Sequence, residues 1–241
     1  MKNNRHIKIH LGVAFLAMLG SAHAATALID FGRTDAAAAS PYNSAPVAGA
    51  NGPNATTGAV ALLDTTGTGT GWTVTVTDIG SGNGGNAGAG ADVAAFPVDL
   101  SSYEAAALAN SIFANQGAGS NPAMTLTFSG LSTSSTYDLL LYGSRANAQG
   151  ANQRWSLTQG SGGADVDHFS ENNSTTYVDW PGVTPDGSGS IQVTINSPGP
   201  DSIGALALNF GSISENAVPE PSGVCLLGVG LGLLFLRRKR P

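Results

Sequence analysis

A chain of 241 residues with net charge −6, 11% charged residues, 33 glycines and one cysteine is long enough for one domain or two small ones. One cysteine excludes an intrachain disulfide and a cysteine-based zinc site. Low charge argues against a cytosolic helical enzyme, and 41% hydrophobic residues argue against a disordered chain. The charge is also partitioned. Lys2, Arg5 and Lys8 stand at one end, and Arg237, Arg238, Lys239 and Arg240 at the other. Between them, three basic residues (Arg33, Arg145, Arg154) face sixteen acids, a net of −13. A polyanion needs a basic surface, so no nucleic-acid partner is expected. Acidic side chains keep such a domain soluble and suit Ca²⁺ better.

Residues 1–24 have the pattern of a secretory signal peptide. Three basic residues precede an apolar segment at 11–19, which is too short for a spanning helix. Ala22-His23-Ala24 is an A-x-A cleavage site, so the mature chain is expected to start at Ala25. His6, His10 and His23 leave with the peptide, and His168 is the one histidine that remains.

The exported domain, 25–215, has a period of two. Trp72, Val74 and Val76 alternate with Thr73, Thr75 and Thr77. Met124, Leu126 and Phe128 alternate with Thr125 and Thr127; Ile191, Val193 and Ile195 alternate with Gln192, Thr194 and Asn196. These are half-buried antiparallel strands. The segment 137–142 is apolar on both faces and so predicts a central strand. Further strands are predicted at 28–31, 59–63, 154–158, 166–169, 176–180 and 206–210. One short helix is predicted from the capping box Ser101-Ser102-Tyr103-Glu104, with Ala105, Leu108, Ala109, Ile112 and Phe113 at helical spacing. Segments 34–57 and 80–92 are low in complexity. The fold class is all-β: a β-sandwich or jelly roll with one short helix.

Several pieces carry a resemblance. Leu28-Ile29-Asp30-Phe31-Gly32 opens the domain. Phe128-Ser129-Gly130-Leu131 precedes Thr136-Tyr137-Asp138-Leu139, Gly187-Ser188-Gly189-Ser190 leads into a strand, and 204–209 closes the domain. This resembles the galactose-binding-like jelly rolls of malectin-type domains and carbohydrate-binding modules. The resemblance implies a glycan ligand. It also implies that the terminal strands lie close and share a structural calcium, with Asp30 and Asp201 as its candidate ligands.

The tail, 216–241, has three parts in order: Pro219-Glu220-Pro221, an uncharged apolar run at 222–236, and the basic cluster. The run is about 22 Å long as a helix at 1.5 Å per residue. That is marginal for a transmembrane helix, though flanking residues and snorkelling arginines extend its reach. The basic cluster stops transfer and stays cytoplasmic. Cys225 lies inside the run as a small hydrophobe. This order and spacing resemble the PEP-CTERM sorting signal of Gram-negative bacteria. The resemblance implies recognition by an exosortase, a membrane cysteine protease-transpeptidase that cleaves near the motif. The protein is then expected to cross the inner membrane, stay anchored there transiently, and end on the cell surface or in the extracellular polysaccharide matrix. The prolines fix an extended backbone, the form a protease reads.

The domain is poor in catalytic sets. No serine sits in G-x-S-x-G, H-E-x-x-H is absent, and one histidine cannot build the usual zinc site. Gly80-Ser81-Gly82-Asn83-Gly84-Gly85 matches G-x-G-x-x-G in form, but no helix pattern follows it. No enzyme is expected. No cofactor is required; Ca²⁺ is the ion that Asp165 and Asp167, with Glu171, Asn172 and Asn173, would suit. Sugar binding needs an aromatic face and a few directed polar groups. Tyr177 and Trp180 flank a turn at Pro181-Gly182. Trp155 follows a polar loop with Arg145, Asn147, Gln149 and Asn152, although it shares its face with Leu157, a core pattern. Arg145 and Arg154 also have a simpler role open to them, ion pairs with nearby acids. The expected function is an exported, exosortase-sorted surface or matrix protein that binds polysaccharide. The alternative is a purely structural matrix or biofilm protein.

Overall fold

The computed structural model describes residues 24–32, 39–45, 56–77, 100, 102–103, 107–108, 111–116, 123–145, 152–171, 173–198 and 204–216. The signal peptide through residue 23, Asp201, the segment 80–92 and the whole tail from 217, with Pro219, Glu220, Pro221 and the basic cluster, lie outside these residues. Strands follow one another as β1 (Thr26–Asp30), β2 (Tyr42–Ser44), β3 (Val60–Leu63), β4 (Gly69–Thr77), β5 (Ile112–Gln116), β6 (Ala123–Ser129) and β7 (Thr136–Tyr142). Then come β8 (Asn152–Gln159), β9 (Val166–Phe169), β10 (Val178–Val183), β11 (Ile191–Asn196), β12 (Gly204–Leu208) and β13 (Phe210–Asn216).

The strands form a five-stranded sheet, β10-β7-β13-β1-β2, a six-stranded sheet, β3-β4-β6-β11-β8-β9, and a ribbon, β12-β5. The period-two pattern is the cause. Trp72, Val74 and Val76, Met124, Leu126 and Phe128, and Ile191, Val193 and Ile195 turn inward from the larger sheet. They share one core with Ile29, Tyr137, Leu139, Leu141, Val178 and Ile213 of the smaller sheet. Each fully buried aliphatic or aromatic side chain contributes about 1.5–3 kcal/mol. Trp72 meets Tyr137 edge to face, with ring centroids 5.5 Å apart. As expected for a strand apolar on both faces, β7 lies inside its sheet. Its Tyr142 joins a second cluster with Leu100, Ala107, Leu108 and Phe210.

Two expectations change. Ala107 and Leu108 are helical, but Ile112 and Phe113 belong to β5, where they pair with Leu208 and Ala207. A β-branched residue offered a pairing partner leaves the helix. The predicted strand at 206–210 is two strands, broken at Asn209.

The first and last strands are neighbours. Thr26 pairs with Ser214, and the Glu215 N–H donates to the Ala25 carbonyl at 2.8 Å. The sheet margins are short or irregular: β2 has three residues, β3 and β9 four each, and β10 shifts register between Trp180 and Val183. Asp138 steadies that shift by accepting the Gly182 N–H at 2.8 Å and the Asn216 amide at 2.7 Å.

Asp186 shapes the turn from β10 into β11. It accepts the Ser188 N–H (3.0 Å), the Ser188 hydroxyl (2.7 Å) and the Ser190 N–H (2.9 Å), and the Gln159 amide donates to its other oxygen. At Gly189, φ is +75°, and a Cβ would lie 2.4 Å from the Leu131 carbonyl oxygen, so only glycine closes this turn. The Gln159 amide first, then the Ser188 hydroxyl, lower the Asp186 carboxyl from an ordinary 3.8 to about 2. A folded-state value below the unfolded one stabilises above the unfolded value, and that stability is lost as pH falls from about 4 to about 2. The Asp186→Asn protein should therefore unfold at lower urea than the parent at pH 7, and the two midpoints should converge at pH 2.

Candidate functional site

β7, β9 and β12 end, and β8 and β13 begin, at one end of the sandwich. There the chain leaves β7 through Gly143, Ser144 and Arg145. Three buried amide side chains hold this corner. Asn209 accepts the Ser144 N–H at 2.6 Å and donates to the Leu108 carbonyl at 2.9 Å. Gln153 accepts the Ala207 N–H at 2.9 Å and donates to the Ala207 carbonyl at 3.3 Å. Asn173 donates to the Gly143 carbonyl at 3.0 Å and the Thr176 carbonyl at 2.5 Å, and it accepts the Thr175 and Thr176 N–H groups at 3.2 and 2.9 Å. The Tyr142 hydroxyl donates to the Asn173 carbonyl.

The fit at Gly143 is tight. A Cβ there would lie 2.1 Å from the Ala207 carbonyl oxygen and 2.9 Å from the Trp155 ring. Beyond it, the Arg145 N–H donates to the Ser170 carbonyl at 2.8 Å, and the backbones of Arg145 and Glu171 pair in an isolated parallel β-bridge. Arg145 is half-buried, and desolvation lowers its pKa. Asn173 thus ties the Arg145 corner to the segment that presents Tyr177. Tyr177 is half-buried and packs at the rim of the second cluster. Arg145, Glu171 and Tyr177 thus stand on neighbouring segments of a backbone held by hydrogen-bonded buried amides, and such networks lock a geometry.

The two tryptophans are placed otherwise. Trp155 is fully buried in the core. Trp180 is also buried: it packs against Gly163 and donates its indole N–H to the Ala164 carbonyl at 2.8 Å. Their alternation with core positions turns both inward, so neither ring offers a face for stacking.

The acids expected to hold a cation are engaged differently. Arg154 donates to both Asp167 oxygens at 2.6 Å, and Asp165 lies 4.0 Å from the same guanidinium. Arg154 already supplies the positive charge that a metal would bring. Among the described residues, no three His, Cys, Asp or Glu side chains gather to hold an ion. Asp30 is fully buried in β1, between Ser44 and Phe210.

Sequence reasoning passed over Gln153, Asn209 and the aromatic Phe169, which is 63% exposed. It noted Asn173 only as an oxygen donor for calcium. Gln153 carried a signal, since it alternates with Trp155 on the inward face.

No protein-family model matches the chain, and no curated protein matches it. A solved structure of an arabinose-bound α-L-arabinofuranosidase aligns at 12% identity and a TM-score of 0.29, covering 62% of this chain and 24% of that enzyme. The chain spans about a quarter of that structure's length, and a likeness this low carries no argument.

Replacing Asn209 with alanine would strand the Ser144 N–H and the Leu108 carbonyl in the interior. The expected cost is about 2–6 kcal/mol for two buried groups left unsatisfied, read as a fall in the urea midpoint at unchanged slope.

Proposed function

We propose that this is an exported cell-surface or extracellular-matrix protein, sorted by an exosortase at Pro219-Glu220-Pro221, whose β-sandwich binds polysaccharide. The signal peptide, the tripartite tail and the charge partition support the sorting half. One observation carries the binding half: three buried, hydrogen-bonded amide side chains hold the segments that carry Arg145, Glu171 and Tyr177. A sandwich with only a scaffolding task has no need to lock a half-buried arginine at a loop. Arginine donates, glutamate accepts and an aromatic ring packs, which together suit a sugar's hydroxyls and its apolar face. The domain acts by adhesion. It has no recognisable pairing of nucleophile and base among its candidates, so no hydrolytic step is assigned to it.

Two measurements test this. In an exosortase-bearing Gram-negative host, replacing Pro219, Glu220 and Pro221 with alanines should leave unprocessed full-length protein in the inner membrane; processing at the parental rate overturns the sorting half. In gels cast with polysaccharide, the full chain in detergent should be retarded. Arg145→Ala and Tyr177→Ala should each weaken that retardation about tenfold, the scale of one lost polar or stacking contact. Equal retardation of all three proteins would favour the structural-matrix alternative.

A further inference from the structure

The outer face of the six-stranded sheet plays no part in the corner. Its residues alternate with the core, and their register lines them up in rows. Thr73 pairs with Ser129, Thr75 with Thr127, and Thr77 with Thr125. Across the next strand, Thr127 pairs with Gln192 and Thr125 with Thr194, and Thr194 pairs with Ser156 on β8. The rows are linked by hydrogen bonds: Gln192 to Thr127 at 3.4 Å, Thr158 to Gln192 at 3.2 Å, and Thr158 with Thr194 at 3.1 Å. At the β8–β9 side Arg154 pairs with Asp167, and Asp165, 4.0 Å from the same guanidinium, leaves one net negative charge. Among the described residues two large hydrophobics are exposed, Leu63 at 47% and Phe169 at 63%. By alternation both lie on this face, at opposite edges, in β3 and β9.

We propose that this face binds a neutral polysaccharide chain, with Phe169 stacking on one sugar ring and the Thr, Ser and Gln rows hydrogen-bonding the sugars beyond it. The proposal rests on the polysaccharide function above and names both the surface and the class of glycan. Three arguments select the occupant. Hydroxyl and amide groups both donate and accept, as sugar hydroxyls do. The face carries little charge away from that edge, and the exported domain, with three basic residues against fifteen acids, repels polyanions. Neighbouring strands twist by about 20–25° each, so across six strands a rigid crystalline plane touches only a strip, whereas a single flexible chain follows the surface. Within a row, neighbouring side chains stand about 4.8 Å apart, close to the length of one sugar ring. Phe169 also joins this face to the corner, since the next residue, Ser170, accepts the Arg145 N–H.

The full chain in detergent would be run through gels containing neutral glycans (dextran, mixed-linkage β-glucan, galactan) or acidic ones (alginate, polygalacturonate). Oligosaccharides of the retaining glycan would then compete. Retention by a neutral glycan, with hexasaccharides competing at least tenfold better than disaccharides, is expected. Phe169→Ala and Thr194→Asp should each weaken retention about tenfold, with Thr127→Lys as a second charge insertion should Thr194→Asp fail to fold. Parental retention of Phe169→Ala and the charge variant, alongside loss in Arg145→Ala, would confine binding to the corner and overturn the proposal. Retention by acidic glycans alone overturns it as well. If the parent protein is retained by none of these glycans, the polysaccharide function itself falls, and this surface with it.

Discussion

The pairing of β1 with β13 is the constraint on which the rest of the domain depends. These strands are 188 positions apart at the Thr26–Ser214 contact, and they lie side by side inside the five-stranded sheet. Closing so long a loop costs about 4–5 kcal/mol in chain entropy by the logarithmic scaling. The strand that closes it does several tasks at once. Ile213 enters the main core, Phe210 anchors the second cluster, and Asn209, just before the strand, bonds Ser144. Without β13, β7 loses a neighbour, and the corner that presents Arg145 loses its backing.

The two proposed binding surfaces draw on different chemistry. The corner is built from the inside: apolar packing sets the strands, and buried amides then fix the backbone of Gly143, Ser144 and Arg145. The sheet face is built from the outside, from the residues the core did not need. Their polarity is uniform and nearly uncharged, in a domain that carries fifteen acids. One surface is a small, rigid cluster of contrasting groups. The other is broad and repetitive, and suits many weak contacts with a polymer.

Much of the fold was legible because a period of two is a local property. Val74, Leu126 and Val193 announce their burial from their immediate neighbours. The departures come from relations that no local pattern records. The predicted helix loses Ile112 and Phe113 because β12, some ninety residues later, offers a pairing partner. The strand at 206–210 breaks because the Asn209 side chain is needed by Ser144 and Leu108. The site was less legible for the same reason. Arg145 and Tyr177 were chosen by residue type, yet what joins their segments is Asn173. Asp165 and Asp167 suggested calcium by composition, but a cross-strand register places Arg154 against Asp167. Trp155 and Trp180 drew attention as large aromatics, and their alternation with core residues turns them inward.

The short and irregular margins of the two sheets have a consequence for how copies of this domain meet. An open strand edge is a template on which another copy can pair, and natural proteins commonly block it with lysine. This chain has no lysine between Lys8 and Lys239. It limits the exposed ladder instead: three residues in β2, four in β3 and in β9, and a register shift beside Pro181 in β10. Among the described residues, the edges of these two sheets leave few consecutive backbone groups to recruit a neighbour, which limits edge-to-edge pairing there.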